Sequence, residues 1–319
     1  MNRLRAYAQL VRLPNVFTAF ADIGLGILAT WQLLPEDLPK DWVWRALCLL
    51  AASGCLYCGG MVFNDVFDLE QDKRERPFRP IPSGRISQSI AVLFGAALLV
   101  AGIGGALLAG GGENVSEATH HSSLITHHSS LYVACILAAC ILLYDGWLKR
   151  FWAGPLGMGA CRFLNVLLGL SLAPNVGWPW GAHLALVVGV YIVGVTWFAR
   201  TEAQISNRSA LAGAAGVMAA GLLLALAAPV IVAEFHLGPR PSILFPYLLI
   251  GLGFLIGFPV SRAISRPTAS HVQKAVKQAI LGLVILDATL ASAITGIGGL
   301  LILLLLLPAM YLGRWIYST

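Results

Sequence analysis

Long apolar stretches alternate with short polar ones along the whole chain. The apolar stretches fall near residues 14–34, 43–65, 88–110, 131–148, 153–173, 182–201, 210–233, 242–262, 273–293 and 297–316. Each is close to the roughly 20 residues that a helix needs to cross the hydrocarbon of a bilayer. The pattern predicts an all-α, polytopic transmembrane bundle of nine or ten helices. The tenth is the least defined, because its boundary with the ninth can be drawn differently around Gly296, Gly298 and Gly299.

Composition agrees. Hydrophobic residues make up 58% and charged residues 11% of the chain, against about 25% charged in a soluble domain. Basic residues gather in alternate connections. Arg3, Arg5 and Arg12 precede the first stretch, and Lys73, Arg74, Arg76, Arg79 and Arg85 lie between the second and third. Lys149 and Arg150, then Arg200 and Arg208, then Arg262, Arg266, Lys274 and Lys277 continue the series, while the opposite connections carry only Lys40, Arg45 and Arg240. The positive-inside rule therefore places the amino terminus and these connections in the cytoplasm, in a multi-pass protein of the inner membrane. The net charge of +6 is accounted for by this asymmetry, so the expected partner is the lipid bilayer and not a nucleic acid. The first stretch lacks a small-residue cleavage site and is expected to remain as an anchor.

The second stretch closes on Asn64-Asp65-Val66-Phe67-Asp68-Leu69-Glu70-Gln71-Asp72. On a helix, Asn64, Asp68 and Asp72 follow at i, i+4 and i+8 along one stripe, with Asp65 and Glu75 close beside it. Carboxylates crowded on one face repel one another unless a cation lies between them. Hard oxygen donors with an amide carbonyl suit Mg²⁺, which takes a few carboxylates together with substrate phosphates. The next segment, Lys73 to Ser87, holds five cations, and its three prolines forbid a continuing helix. Arginine beside an acidic stripe suits a metal-bound polyanion gripped through bidentate contacts.

These residues carry a resemblance. Asn64-Asp65-x-x-Asp68-x-x-x-Asp72 followed by Arg79-Pro80-Ile81-Pro82-Ser83-Gly84-x-Ile86-Ser87 resembles the first signature of the UbiA superfamily of intramembrane prenyltransferases. Arg12-Leu13-Pro14-Asn15 is similar to the start of that family's first helix. The resemblance implies one transmembrane domain over residues 1–319, its helices around a central cavity opening to the cytoplasmic side, and Mg²⁺-dependent transfer of a prenyl group from a prenyl diphosphate to an aromatic or lipid-like acceptor. It implies Asn64, Asp65, Asp68 and Asp72 as metal ligands, with Asp68, Asp72 and Lys149 catalytic. Lys73, Arg79, Lys149, Arg150 and Arg200 would meet the diphosphate, and Asn15, Arg162 and Asn165 the acceptor or cavity. The family's second Asp-rich motif is reduced here to Thr196–Arg208, with Glu202 its one carboxylate. Either Glu202 holds a second metal with Gln204, Ser206 or Asn207, or Arg200 replaces that metal. This stretch is similar to the EboC-like branch of the superfamily.

The remaining signals are weaker. Cys48, Cys55, Cys58, Cys135, Cys140 and Cys161 all fall in apolar stretches and read as packing residues. A tandem repeat, Thr119-His120-His121-Ser122-Ser123-Leu124 then Thr126-His127-His128-Ser129-Ser130-Leu131, lies in a low-complexity outward loop (110–131) and reads as a tolerated insertion. Asp22 and Asp287 are acids inside apolar stretches, lining the cavity or bonded within the bundle as neutral acids. Two other readings stay open: a UbiA-like protein that binds a prenyl lipid without reacting it, and a transporter, against which the gathering of charge at one face counts.

Overall fold

The computed structural model describes residues 3–32, 41–110, 129–173, 178–200, 207–234 and 242–316. Among them all regular structure is helical, as lipid demands of segments that must satisfy every backbone polar group internally. The helices are α1 (Arg3–Leu10), α2 (Val16–Trp31), α3 (Trp42–Phe67), α4 (Leu69–Glu75), α5 (Gln88–Gly110), α6 (Ser129–Gly146) and α7 (Gly154–Leu170). There follow α8 (Trp180–Ala199), α9 (Arg208–Ala225), α10 (Ala228–Glu234), α11 (Phe245–Ser265), α12 (Ala269–Thr295) and α13 (Leu306–Trp315). The tandem histidine repeat, save for its last residues, and the stretch 201–206 with Glu202 lie outside the described residues.

Eight stretches are long and apolar enough to cross a membrane, and α7, at 17 residues, is a shorter apolar helix. The last of the eight, Ala269–Trp315, is not one rod. Gly296 takes φ 64°, a conformation glycine adopts without steric cost, and the chain doubles back through the 3-10 segment Gly296–Leu305 into α13. A Cβ on Gly299 would stand 2.3 Å from the Ser292 nitrogen, so the returning segment lies directly on α12. A ten-residue 3-10 segment rises about 20 Å and ten α-helical residues about 15 Å. Together they are long enough to recross the roughly 30 Å core. The return ends beside the amino-terminal helix, where Arg5 donates to the Trp315 carbonyl at 3.2 Å.

The bundle is organised around α2 and α7, which contribute to both large apolar cores. One core joins them to α8, α9, α11 and α12, the other to α3, α5 and α6. Between apolar helices in lipid the hydrophobic effect supplies little, and small residues that allow close approach supply the packing. The α2–α7 crossing follows this rule. A Cβ on Gly169 would lie 2.5 Å from the Ile23 carbonyl oxygen, and one on Gly26 would lie 2.7 Å from the Gly169 Cα. Gly169→Leu is therefore expected to destabilise the bundle by about 1–3 kcal/mol through overpacking, read as a lower unfolding temperature in detergent. Unchanged melting would mean that the two helices do not meet there. The outer faces are the reverse of a soluble surface: Leu93, Val100 and Leu107 recur every seven residues along α5, all exposed.

Candidate active site

At one end of the bundle the apolar interior gives way to charge. α3 does not run straight into the acidic stripe. It ends at Phe67, Asp68 adopts φ −93° and ψ 7°, and α4 begins at Leu69. The hydrogen-bond ladder nevertheless passes through the bend, with Asp68 N–H on the Asn64 carbonyl (3.1 Å) and Asp72 N–H on that of Asp68 (2.8 Å). The stripe is thus turned partway along, and its members face two different groups.

The first group surrounds Arg79. Its Nη1 donates to Asp72 Oδ2 at 2.6 Å and to Asp65 Oδ1 at 3.2 Å, and all three side chains are buried. Arg12 reaches the same Asp65 oxygen at 3.0 Å and Asn64 Oδ1 at 3.3 Å. Arg12 itself has φ 49°, a left-handed conformation that costs a residue with a Cβ about 1–2 kcal/mol. The Asn15 N–H holds it there, closing a turn on its carbonyl at 2.8 Å. Burial alone would lower the basicity of Arg12, but the Asp65 carboxylate offsets this and leaves the guanidinium above its ordinary value.

The second group is more open. Lys149 Nζ lies 2.8 Å from Asp68 Oδ2, and the Asp68 side chain is 21% exposed. Asn64 donates its amide N–H to Asp145 Oδ1 at 2.8 Å. Asp68, Asn64, Asp145 and Lys149 thus form one oxygen-rich cluster with a single ammonium, at the seam between α3 and α6.

The structure therefore brings Asn64, Asp65, Asp68, Asp72, Arg79 and Lys149 together, but not as one ligand cage. Among the described residues no three Asp, Glu, His or Cys side chains converge as a ready-made metal site. The cations of the next segments occupy the carboxylates instead. The other expected residues lie elsewhere. Lys73 is exposed and pairs with Glu70 at 2.6 Å, which holds the Glu70 carboxyl below its usual value. Arg150 donates to the Phe67 carbonyl at 3.3 Å. Arg200 donates to the Phe151 and Trp152 carbonyls, tying the end of α8 to the turn before α7. These three sit on the rim.

Below the mouth, Asn15 lies near Tyr57, and the Arg162 guanidinium lies 5.7 Å from the centre of the Tyr57 ring. Arg162 donates to Asp22 Oδ2 and to Thr18 Oγ1, both at 2.9 Å. Asn165 donates to the same Asp22 oxygen at 3.2 Å and to the Ala19 carbonyl at 2.9 Å, and accepts from Ser53 at 2.7 Å. Arg162 and Asn165 thus share a face, as their spacing predicts, and that face is turned to α2.

Two residues of the mouth are not among those singled out from the sequence. Asp145 was visible as an acid in the last turn of an apolar stretch. Arg12 stood inside the Arg-Leu-Pro-Asn motif, where only Asn15 was assigned. Each needed a partner more than fifty residues away to give it a place.

Comparison with known proteins identifies the family. The description "UbiA prenyltransferase family" matches residues 24–266. A digeranylgeranylglyceryl phosphate synthase of Saccharolobus solfataricus is 41% identical over 100 residues, 31% of this chain and 33% of that protein. One from Sulfolobus acidocaldarius is 38% identical over 102 residues, 31% and 34% of the two chains. The chain thus matches about a third of the length of these curated relatives. The fold is similar to a solved structure concerning digeranylgeranylglyceryl phosphate synthase in membranes, with TM-score 0.63, 21% identity and coverage of 93% of this chain and 100% of that one. It is also similar to a UbiA homologue from Archaeoglobus fulgidus bound to DMAPP and Mg²⁺, with TM-score 0.58, 13% identity and coverage of 89% and 98%. The family match covers most of the chain and coincides with the apolar helices: this is a multi-pass membrane protein belonging to the UbiA prenyltransferase family.

Proposed function

We propose that the chain transfers a prenyl group from a prenyl diphosphate to a membrane-accessible acceptor, at the charged end of the bundle and with Mg²⁺. The observation that carries this reading is the meeting of Asn64, Asp68, Asp145 and Lys149 beside the Asp65–Arg79–Asp72 group, at one end of an otherwise apolar bundle. The names of the curated relatives, and the DMAPP and Mg²⁺ bound to the Archaeoglobus homologue, support it. The basic connections orient this end toward the cytoplasm.

The residues fit a magnesium ion. The Asn64, Asp68 and Asp145 oxygens are hard donors, and the Lys149 ammonium on Asp68 stands in for a cation there. The lack of a ready-made cage among the described residues suits Mg²⁺, which is held by one or two carboxylates together with substrate phosphates. Bound there, the ion would supply Lewis acidity to the leaving diphosphate.

The chain's own groups do the rest. Asp68 and Asn64 would hold the metal, leaving Lys149, no longer engaged by Asp68, to meet a phosphate oxygen. Arg79 is aimed by Asp65 and Asp72 and adds fixed positive charge without reorganisation. Asp65 and Asp72 act here through Arg79, a change from the ligand role that the resemblance implies for them. The opposite side of the diphosphate falls, on sequence grounds, to Glu202. The apolar walls exclude water from the allylic cation so that the acceptor, and not water, takes it. The test is diphosphate release from prenyl diphosphates of graded chain length, with and without Mg²⁺, by the protein in lipid nanodiscs. Mg²⁺-dependent release is expected. Tight binding of the prenyl diphosphate with no release would favour the lipid-binding alternative.

A further inference from the structure

Two carboxylates in the middle of the bundle share a single cation. Asp22 on α2 and Asp287 on α12 are both fully buried, on helices packed against each other, and near enough for each to act on the other's charge. Arg162 is the only cation that any described contact brings to them, and it takes Asp22 Oδ2, which also accepts from Asn165. Among the described residues, Asp22 Oδ1 and both oxygens of Asp287 receive no N–H or O–H. The neighbouring polar groups are engaged elsewhere. Thr18 Oγ1 donates to the Asn15 carbonyl, Ser53 to Asn165, and the Tyr191 hydroxyl, on α8, to the Ala279 carbonyl. Two ionised carboxylates buried near each other with one guanidinium to share would leave an uncompensated charge in the bundle interior. That state is far too costly to persist.

We propose that Asp22 and Asp287 hold one exchangeable proton between them, with Asp287 the acid and Asp22 the carboxylate, so that with Arg162 they form a neutral buried triad. A metal ion is the other way to cancel the charge. It would require a shell of oxygens, and these three carboxylate oxygens are the ones left without a donor. The triad also fixes what Arg162 is for. Its charge is already answered by Asp22, and it is a positioning residue linking α7 to α2. It is not a clamp waiting for the diphosphate or for an acceptor carboxylate.

The experiment is infrared spectroscopy of the substrate-free protein in lipid nanodiscs, in H₂O and in D₂O, comparing wild type with Asp287→Asn, Asp22→Asn and Arg162→Met. No turnover is needed, so the result stands apart from the prenyl-transfer reading. Wild type should show a deuterium-sensitive carboxylic-acid C=O band that disappears in Asp287→Asn. It should also disappear in Asp22→Asn, because Asp287 must then ionise to answer Arg162. In Arg162→Met the band should double, since without the cation both acids keep their protons. If that variant does not fold, the two isosteric Asn variants decide the question. A wild-type spectrum with no band sensitive to Asp287→Asn would overturn the proposal. An unfolding temperature that rises with sodium in wild type but not in Asp287→Asn would overturn it in favour of a metal cation.

Discussion

Asp68→Asn is expected to lower Mg²⁺-dependent diphosphate release by at least about a hundredfold while leaving the melting temperature close to that of wild type. Both halves follow from the position of Asp68. It is the carboxylate of the mouth that is partly exposed and, among the described residues, paired with the Lys149 ammonium alone, so the described bundle does not depend on its charge. Yet it is the oxygen donor best placed to exchange that ammonium for a metal ion. Removing one preorganised electrostatic partner of a developing charge commonly costs two to three orders of magnitude in turnover. Lys149→Gln should differ in kind: its main effect should be weaker binding of the prenyl diphosphate, with the Mg²⁺ dependence little changed. Wild-type turnover in the Asp68→Asn protein would remove the metal site from this end of α3.

Arg79→Met is expected to act on stability first. Arg79 and the Asp72 and Asp65 carboxylates it bridges are all buried. Taking one partner from a buried ion pair leaves an uncompensated charge and costs about 3–5 kcal/mol. The predicted signature is a large drop in unfolding temperature that is partly reversed by adding Asp72→Asn, which removes the stranded carboxylate. Asp65 would keep Arg12, so neutralising Asp65 on the same background should rescue less. Equal melting of Arg79→Met and wild type would refute the buried pairing.

The fold was legible because hydropathy is a local property. Each apolar stretch announces a crossing by its length, and the described helices follow those stretches closely. Even the doubtful tenth has a visible cause, since Gly296 takes the left-handed conformation that lets the chain turn back on α12. The site was legible only in outline. The acidic stripe was read as straight because spacing counts residues and does not sense a bend at Asp68. The cations that hold its members come from other elements: Arg12 lies 53 residues from Asp65, and Asn64 finds Asp145 across 81. Arg162, Asp22 and Asp287 could each be picked out singly as charges inside apolar stretches. Which of them meet depends on how α2, α7 and α12 pack, and no spacing along the chain encodes that.

The ion pairing at the mouth has a consequence for the order in which ligands arrive. Three cations, Arg12, Arg79 and Lys149, stand there among four carboxylates, Asp65, Asp68, Asp72 and Asp145. A bare diphosphate that passes the rim arginines finds each of these three cations already in contact with a carboxylate. On the proposed mechanism a diphosphate that brings its own divalent ion would meet the opposite situation, since the carboxylate given up by Lys149 would be free to hold that ion. On that mechanism the pairing would work as a toll on uncomplexed polyanions: free phosphates and nucleotides lacking a metal ion would have nothing to offer Asp68 in exchange for its lysine, and the mouth would discriminate among anions by the counterion they carry.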